Sequence, residues 1–177
     1  MIQIRDADYA DVPEITCIYN DAVQNTTAIW NDTYVESAER AAWLRQRKEA
    51  GFPVFVAFCS ETGDITGYAS YGPWRAFDGY RYTVENSVYV HPLWQRRGVG
   101  RLLMQALIKR ARETAVHVMV AGIEAENTAS IALHKEFGFE DAGLVKEAGV
   151  KFGRWLDLAL LALRLNEWPE PPCGSTR

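Results

Sequence analysis

A chain of 177 residues, 48% of them hydrophobic, is long enough to bury one core of ordinary domain size; residues 1–166 are expected to form a single domain, followed by a mobile tail at 167–177. A formal net charge of −4 excludes a broad cationic field for nucleic acid or an anionic membrane, so any anion site has to be local. No run reaches membrane-spanning length, and the chain starts on strand-like Ile2-Gln3-Ile4-Arg5 rather than on a basic head before an apolar stretch, which predicts a cytoplasmic protein.

Ile2 to Arg5 predicts a short strand, and Asp8 is placed to cap a helix running to about Val23 with Pro13 in its first turn. Cys17 falls in that helix. Ser37 caps a second helix ending near Gly51. Val54–Phe58, with Cys59 at its end, and Ile65–Tyr71 predict two strands around the hairpin turn Glu61-Thr62-Gly63-Asp64. Thr83–His91 predicts a third strand, stopped by Pro92. Leu102, Leu103, Ala106, Leu107 and Ala111 recur at helical spacing, so Val99–Glu113 should lay one face on the sheet. His117–Ile123 predicts a strand, Ala129–Phe137 a helix, and Phe139–Leu144 and Phe152–Leu163 two closing strands, with a turn at Leu144–Gly149. This order gives an α/β (α+β) mixed sheet with helices on both faces, while pattern alone leaves its topology open. Cys17, Cys59 and Cys173, odd in number and without ligand spacing, predict a reducing compartment and no metal.

The most informative stretch is Gln95-Arg96-Arg97-Gly98-Val99-Gly100-Arg101, between a strand and a helix. Glycines there let the backbone turn tightly, the first helical amides point outward unpaired, and the helix dipole favours an anion such as a pyrophosphate. The stretch lacks the Gly-Lys-Ser/Thr ending of a nucleotide P-loop and the third glycine of a dinucleotide fingerprint. Two glycines alone would fit an ordinary tight turn.

Gln/Arg-x-x-Gly-x-Gly after a strand resembles the acetyl-CoA pyrophosphate loop of the GNAT N-acetyltransferases. Asn127-x-x-Ser-x-x-Leu-His-x-x-x-Gly-Phe139 is similar to the second conserved block of that superfamily. Thr83-Val84-Glu85-Asn86-Ser87-Val88-Tyr89-Val90, the pair Tyr19-Asn20, Gly72-Pro73-Trp74-Arg75 and Lys151-Phe152-Gly153-Arg154-Trp155-Leu156-Asp157 resemble the phosphinothricin and methionine sulfoximine acetyltransferase branch. The resemblance runs from Ile4 to about Leu165.

It implies a GNAT fold in which two central strands splay apart, with acetyl-CoA as co-substrate and a homodimeric assembly. By the same resemblance the pantetheine arm would pair with the backbone of Val88, Tyr89 and Val90. Arg96, Arg97, Gly98, Val99, Gly100 and Arg101 would cradle the pyrophosphate, and Asn127 would contact the coenzyme, although asparagine there also reads as an ordinary helix cap.

An amine must shed its proton to attack a thioester, and a carboxylate beside it is the simplest base. Strand alternation puts Glu85, Ser87 and Tyr89 on one face and Asn86, Val88 and Val90 on the other. From pattern alone, Glu85 reads equally as an exposed edge residue or a partner of Arg81; the resemblance makes it the catalytic candidate, as base or as holder of the substrate ammonium. The α-carboxylate of an amino acid calls for guanidinium groups, and Arg75 and Arg81 lie in Trp74-Arg75-Ala76-Phe77-Asp78-Gly79-Tyr80-Arg81, where Phe77 and neighbouring aromatic groups would wall a small side chain. Trp30 would close the pocket from the other side. Asn86 and Ser87 complete the expected acceptor set. Asn86 departs from the branch's usual residue, as does the turn at Leu144–Gly149; by the resemblance His134 stands where many relatives carry a tyrosine that protonates the departing thiolate and could contact coenzyme sulfur or substrate, whereas a lone histidine on a helix reads more often as a surface or packing residue.

The expected function is N-acetylation of a small amino acid such as L-methionine sulfoximine, L-methionine sulfone or phosphinothricin by direct amine attack. Acetylation of a protein amine, or a noncatalytic acyl-CoA-binding role, are the alternatives; no nucleic-acid or membrane partner is expected.

Overall fold

A computed structural model describes residues 1–172. Cys173 and the end of the expected tail lie outside the described residues. The elements run β1 (Ile2–Asp6), α1 (Val12–Asn25), α2 (Ser37–Glu49), β2 (Val54–Cys59), β3 (Ile65–Pro73), β4 (Thr83–Val90), α3 (Val99–Arg112), β5 (Val118–Glu124), α4 (Thr128–Glu136), β6 (Glu140–Lys151) and β7 (Arg154–Arg164). The seven strands order as β1-β2-β3-β4-β5-β7-β6, antiparallel throughout except for β4 against β5. This is the mixed sheet expected from the element order.

Helices cover both faces. On one, Leu103, Met104 and Leu107 of α3 pack on Ala57, Ala69, Val84, Met119 and Leu161 of the strands. On the other, Ile15, Ile18 and Val23 of α1 and Leu44 of α2 pack on Val56 and Tyr68. Val88 and Val90 face the first core and Tyr89 the second, as the alternation of β4 requires.

Asp8 caps a 3₁₀ turn, Tyr9–Asp11, rather than α1 directly: it accepts from the Ala10 N–H at 2.7 Å, and Asp11 accepts from the Asp8 N–H at 2.9 Å. α1 then starts at Val12 with Pro13 in its first turn, where a missing N–H costs nothing. A larger difference lies at Leu144–Gly149, expected as a turn. These residues belong to one long strand, β6, interrupted by a bulge where Val145 pairs with Leu158 but Gly149 with Leu156. Glu147 is left-handed at φ 52°, and its N–H is satisfied by Asp157 Oδ1 at 2.8 Å. After β7, Trp168 stacks on His117 with centroids 5.5 Å apart, and the Tyr82 hydroxyl donates to the Pro172 carbonyl at 3.1 Å.

Candidate active site where the two central strands part

β4 and β5 are paired only through Thr83–Glu85 and Val118–Val120. Beyond Glu85 the strands separate, and a cleft of about 940 Å³ opens, lined by Asn86–Val90 on one side and Ala121–Glu124 on the other. The His91 N–H bonds to Thr66 O of β3, so the odd residues of β4 aim their backbone groups at β3. By period-two alternation, the N–H and C=O groups of Asn86, Val88 and Val90 point into the gap. Splaying thus exposes a row of strand donors and acceptors without disturbing the apolar side chains of Val88 and Val90.

The glycine loop forms the mouth of this cleft. Arg96 and Gly98 are both left-handed, at φ 61° and 80°, and a chain turned this way directs successive amides toward one point. Gly98 opens α3 without a side-chain cap, leaving the first-turn amides available to an anion. Gly100 has a different reason: a Cβ there would meet Leu133 Cδ2 at 3.3 Å and Val90 Cγ2 at 3.7 Å, so its absence lets α3 seat against α4 and β4. Arg97 lies over the Trp94 ring at 5.0 Å, and Arg101 is ion-paired with Glu136. Gln95, Arg96, Gly98, Val99, Gly100 and Arg101 all line the cleft. These features fit a pyrophosphate-bearing cofactor.

Asn127, across the cleft, caps α4 by accepting from the Ser130 N–H at 3.1 Å, and among the described residues its Nδ2 makes no hydrogen bond. The same helix buries His134. Because the Ser130 carbonyl, 2.8 Å from Nδ1, can only accept, Nδ1 carries the proton and Nε2 accepts from Asn86 Nδ2 at 3.0 Å. Burial holds the imidazole below its ordinary pKa, against the opposing pull of the Ser130 carbonyl, so the ring is neutral near pH 7. Asn86 therefore sits on the α3–α4 side, its Oδ1 buried and without a partner among the described residues.

Glu85 and Ser87 face the opposite side, toward α1 and α2. Glu85 leans over β5: its Oε1 lies 3.0 Å from where a Cβ on Gly122 would be. The residue as a whole is exposed, but desolvation of its carboxyl pushes it above the ordinary glutamate value, partly countered by Arg75 and Arg47. A carboxyl beside the vertex of the gap, its pKa raised, is suited to accept a proton. Arg75 is exposed and stacked on Trp74 at 4.6 Å. Ala76 and Phe77 are also exposed, and Arg81 donates to the Asp78 carbonyl at 3.0 Å. Trp30 donates from Nε1 to Thr27 O at 2.9 Å and lays its ring over Gly149 of β6, while Thr26, Thr27 and Ala28 line the cleft.

Three side chains with no strong local sequence signal enter this arrangement. Arg47 of α2 spreads its guanidinium over Gly72, the cross-strand partner of Glu85. Glu124, buried at the end of β5, accepts from the Thr27 hydroxyl at 3.1 Å and the Glu126 N–H at 3.0 Å. Lys151 is buried and donates to the carbonyls of Val23, at 2.5 Å, and Ile29, tying the end of α1 and the Trp30 segment to β6. A glycine inside a strand, as at Gly72, is the one sequence hint of such a close approach.

The sequence pattern described as the Acetyltransferase (GNAT) family matches residues 15–139. An L-methionine sulfoximine/L-methionine sulfone acetyltransferase of Salmonella typhimurium is 54% identical over 168 residues, covering 95% of this chain and 97% of that protein. A phosphinothricin N-acetyltransferase of Alcaligenes faecalis is 38% identical, covering 88% of this chain and 79% of that protein. Among solved structures, an acetyltransferase from Salmonella typhimurium with its cofactor acetyl-CoA superposes with a TM-score of 0.94 at 53% identity, over 98% of this chain and 99% of that one. With a strand gap and a glycine cradle in the same places the sequence motifs had marked, the chain belongs to the Acetyltransferase (GNAT) family.

Proposed function

We propose that this chain acetylates the α-amino group of a small amino acid, of the class of L-methionine sulfoximine, L-methionine sulfone and phosphinothricin, using acetyl-CoA. The observation that carries the reading is the gap between β4 and β5, with an anion cradle at its mouth and, beside its lining at the last β4–β5 pair, the Glu85 carboxyl next to Gly122. Acetyl-CoA supplies an activated acyl group as a thioester. The amides around Arg96–Arg101 hold its pyrophosphate, Asn127 Nδ2 adds a donor, and the backbone groups of Val88 and Val90 align its arm, those of Tyr89 being turned to β3. Fixing both reactants in one cleft replaces a bimolecular encounter with a positioned one. Glu85 receives the ammonium and takes one proton, freeing the nitrogen lone pair; as the N–C bond forms and the C–S bond breaks, the second proton shed by the nitrogen goes to the departing thiolate, giving the free thiol. Transfer is direct: Cys17 is exposed on α1, Cys59 is buried on β2, and neither lines the cleft.

The acceptor lies on the α1–α2 side between Glu85, Ser87 and the Trp30 segment, with Arg75, Ala76, Phe77 and Arg81 as its outer wall and Asn86 behind. That wall is open in a single chain, Phe77 being 77% exposed, and the hairpin of β6 and β7 presents Leu144, Val145, Val150, Phe152 and Trp155 to solvent, the last 65% exposed. Contiguous exposed apolar groups of this size mark an interface. They support a homodimer whose partner closes the acceptor wall; the same reading takes residues 1–166 as one acetyltransferase domain working in the cytoplasm. None of the described helices is long and apolar enough to cross a membrane.

The test is thiol release from acetyl-CoA with L-methionine sulfone, L-methionine sulfoximine, phosphinothricin, ordinary amino acids and basic peptides as acceptors. Saturable turnover of the small inhibitors is the expected result. Turnover of peptides alone would move the activity to protein amines, and coenzyme binding without turnover would leave an acyl-CoA-binding protein.

A further inference from the structure

Arg40, Trp43 and Arg47 recur at i, i+3 and i+7 on α2 and share the face turned toward the sheet. Arg40 lies over the rings of Tyr19 and Trp43, at 4.3 and 4.8 Å, and Arg47 is 5.9 Å from the rings of Trp43 and Phe52. Both guanidiniums have a buried Nε with no hydrogen-bond partner, and among the described residues neither forms a salt bridge. Two like charges held together on aromatic faces, with Glu85 acting on Arg47 through space but not ion-paired to it, are an arrangement that an anion would complete.

Their position says which anion. The Arg47 guanidinium occupies the space a side chain on Gly72 would take, and Gly72 is the cross-strand partner of Glu85, so the guanidinium lies on the Glu85 face roughly 5 Å from where the glutamate side chain starts. Glu85 nevertheless turns away from Arg47 toward Gly122 of β5. A group carrying a cation and an anion side by side would bridge the two. An α-amino acid carries both on a single carbon. If its nitrogen is at Glu85, the negative group within reach of Arg47 is the α-carboxylate, whereas a sulfone or phosphinate lies farther along the side chain. A peptide N-terminus has an uncharged amide at that point, and a lysine side chain has only methylene.

We infer that Arg47, backed by Arg40, is a specificity-determining residue that receives the acceptor's α-carboxylate and selects free amino acids over peptides. This rests on the acetyl-transfer reading above. Arg75 and Arg81 then serve the outer wall rather than the carboxylate.

The experiment compares L-methionine sulfone with its α-carboxamide as acceptors, in wild type, Arg47→Gln and Arg47→Lys, with acetyl-CoA affinity measured by calorimetry as a check on the fold. Wild type should favour the acid in kcat/KM by about tenfold to a hundredfold, the size of a lost charge-assisted contact. Arg47→Gln should abolish that preference by raising KM for the acid, with acetyl-CoA affinity retained; a change shared by acid and amide would report the altered Glu85 carboxyl, whereas the acid-to-amide ratio reports the carboxylate contact, and Arg47→Lys should restore part of that ratio. Equal losses on acid and amide in Arg47→Gln, or a preference that survives the substitution, would overturn the inference and leave acetyl transfer standing. A wild type that acetylates neither compound would overturn the acetyl-transfer reading, and this inference with it.

Discussion

Gly122→Ala is the sharpest probe of the Glu85 position, because it adds one methyl group beside the carboxyl without touching the cradle. The new Cβ would lie 3.0 Å from Glu85 Oε1 and 3.4 Å from Leu158 Cδ1. The second contact is ordinary; the first requires the carboxyl to move by a few tenths of an ångström. Gly122 is not left-handed, so alanine fits its backbone, and the lower entropy of the unfolded chain stabilises by about 0.5–1 kcal/mol. Net stability should stay within roughly 1 kcal/mol of wild type, read as a small change in Tm. Activity should respond more. Misplacement of a reacting group by about 1 Å can cost 10²-fold, so a fraction of that should lower kcat/KM by roughly threefold to thirtyfold. The methyl also removes water from the carboxyl, raising its pKa further, so part of the loss should be recovered at higher pH. An unchanged kcat/KM would refute the reasoning, since the carboxyl would then be displaced at no cost to transfer. A large fall in Tm would refute the packing argument instead.

Gly98→Ala places a Cβ in open space but forces alanine into φ 80°. The left-handed strain costs about 1–2 kcal/mol, so acetyl-CoA affinity measured by calorimetry should weaken severalfold while acceptor KM at saturating coenzyme stays the same. Asp11→Ala removes a carboxylate that receives Arg5 at 2.6 and 2.7 Å and the Asp8 N–H. Burial raises the Asp11 pKa, but Arg5 and the Asp8 N–H outweigh it and hold the carboxyl below its ordinary 3.8. Its contribution is therefore complete above the unfolded pKa and lost as pH falls through the lower, folded one. Urea unfolding should show a deficit of about 1–2 kcal/mol at pH 7, limited by the exposure of Arg5, that shrinks as pH drops below 4.

Local physics made much of this site readable. The cradle is spelled by adjacent residues, and the face occupied by Glu85 follows from counting in twos along β4. What escaped the sequence depends on contacts between distant segments. Arg47 is one of several polar residues on α2, and only its meeting with Gly72 gives it a role. Lys151 opens a recognisable sequence motif, but its two carbonyl partners come from α1 and the Trp30 segment, far away in the chain. His134, read as a surface or packing residue, is buried because Asn86 on β4 reaches its Nε2. The β6 bulge centres on Glu147, a left-handed residue without the glycine that would have announced it, and the Asp157 carboxylate that satisfies its N–H comes from the next strand.

The central claim is that Glu85 takes the proton of the acceptor amine, and the pH dependence of kcat/KM for L-methionine sulfone in wild type and Glu85→Gln tests it most directly. Wild type should rise with pH along a limb displaced above the ordinary glutamate value of 4.5, because desolvation outweighs Arg75 and Arg47. Glu85→Gln should lose that limb and fall by roughly 10²–10⁴-fold, with acetyl-CoA affinity retained. A variant that keeps both the limb and the rate would contradict the account.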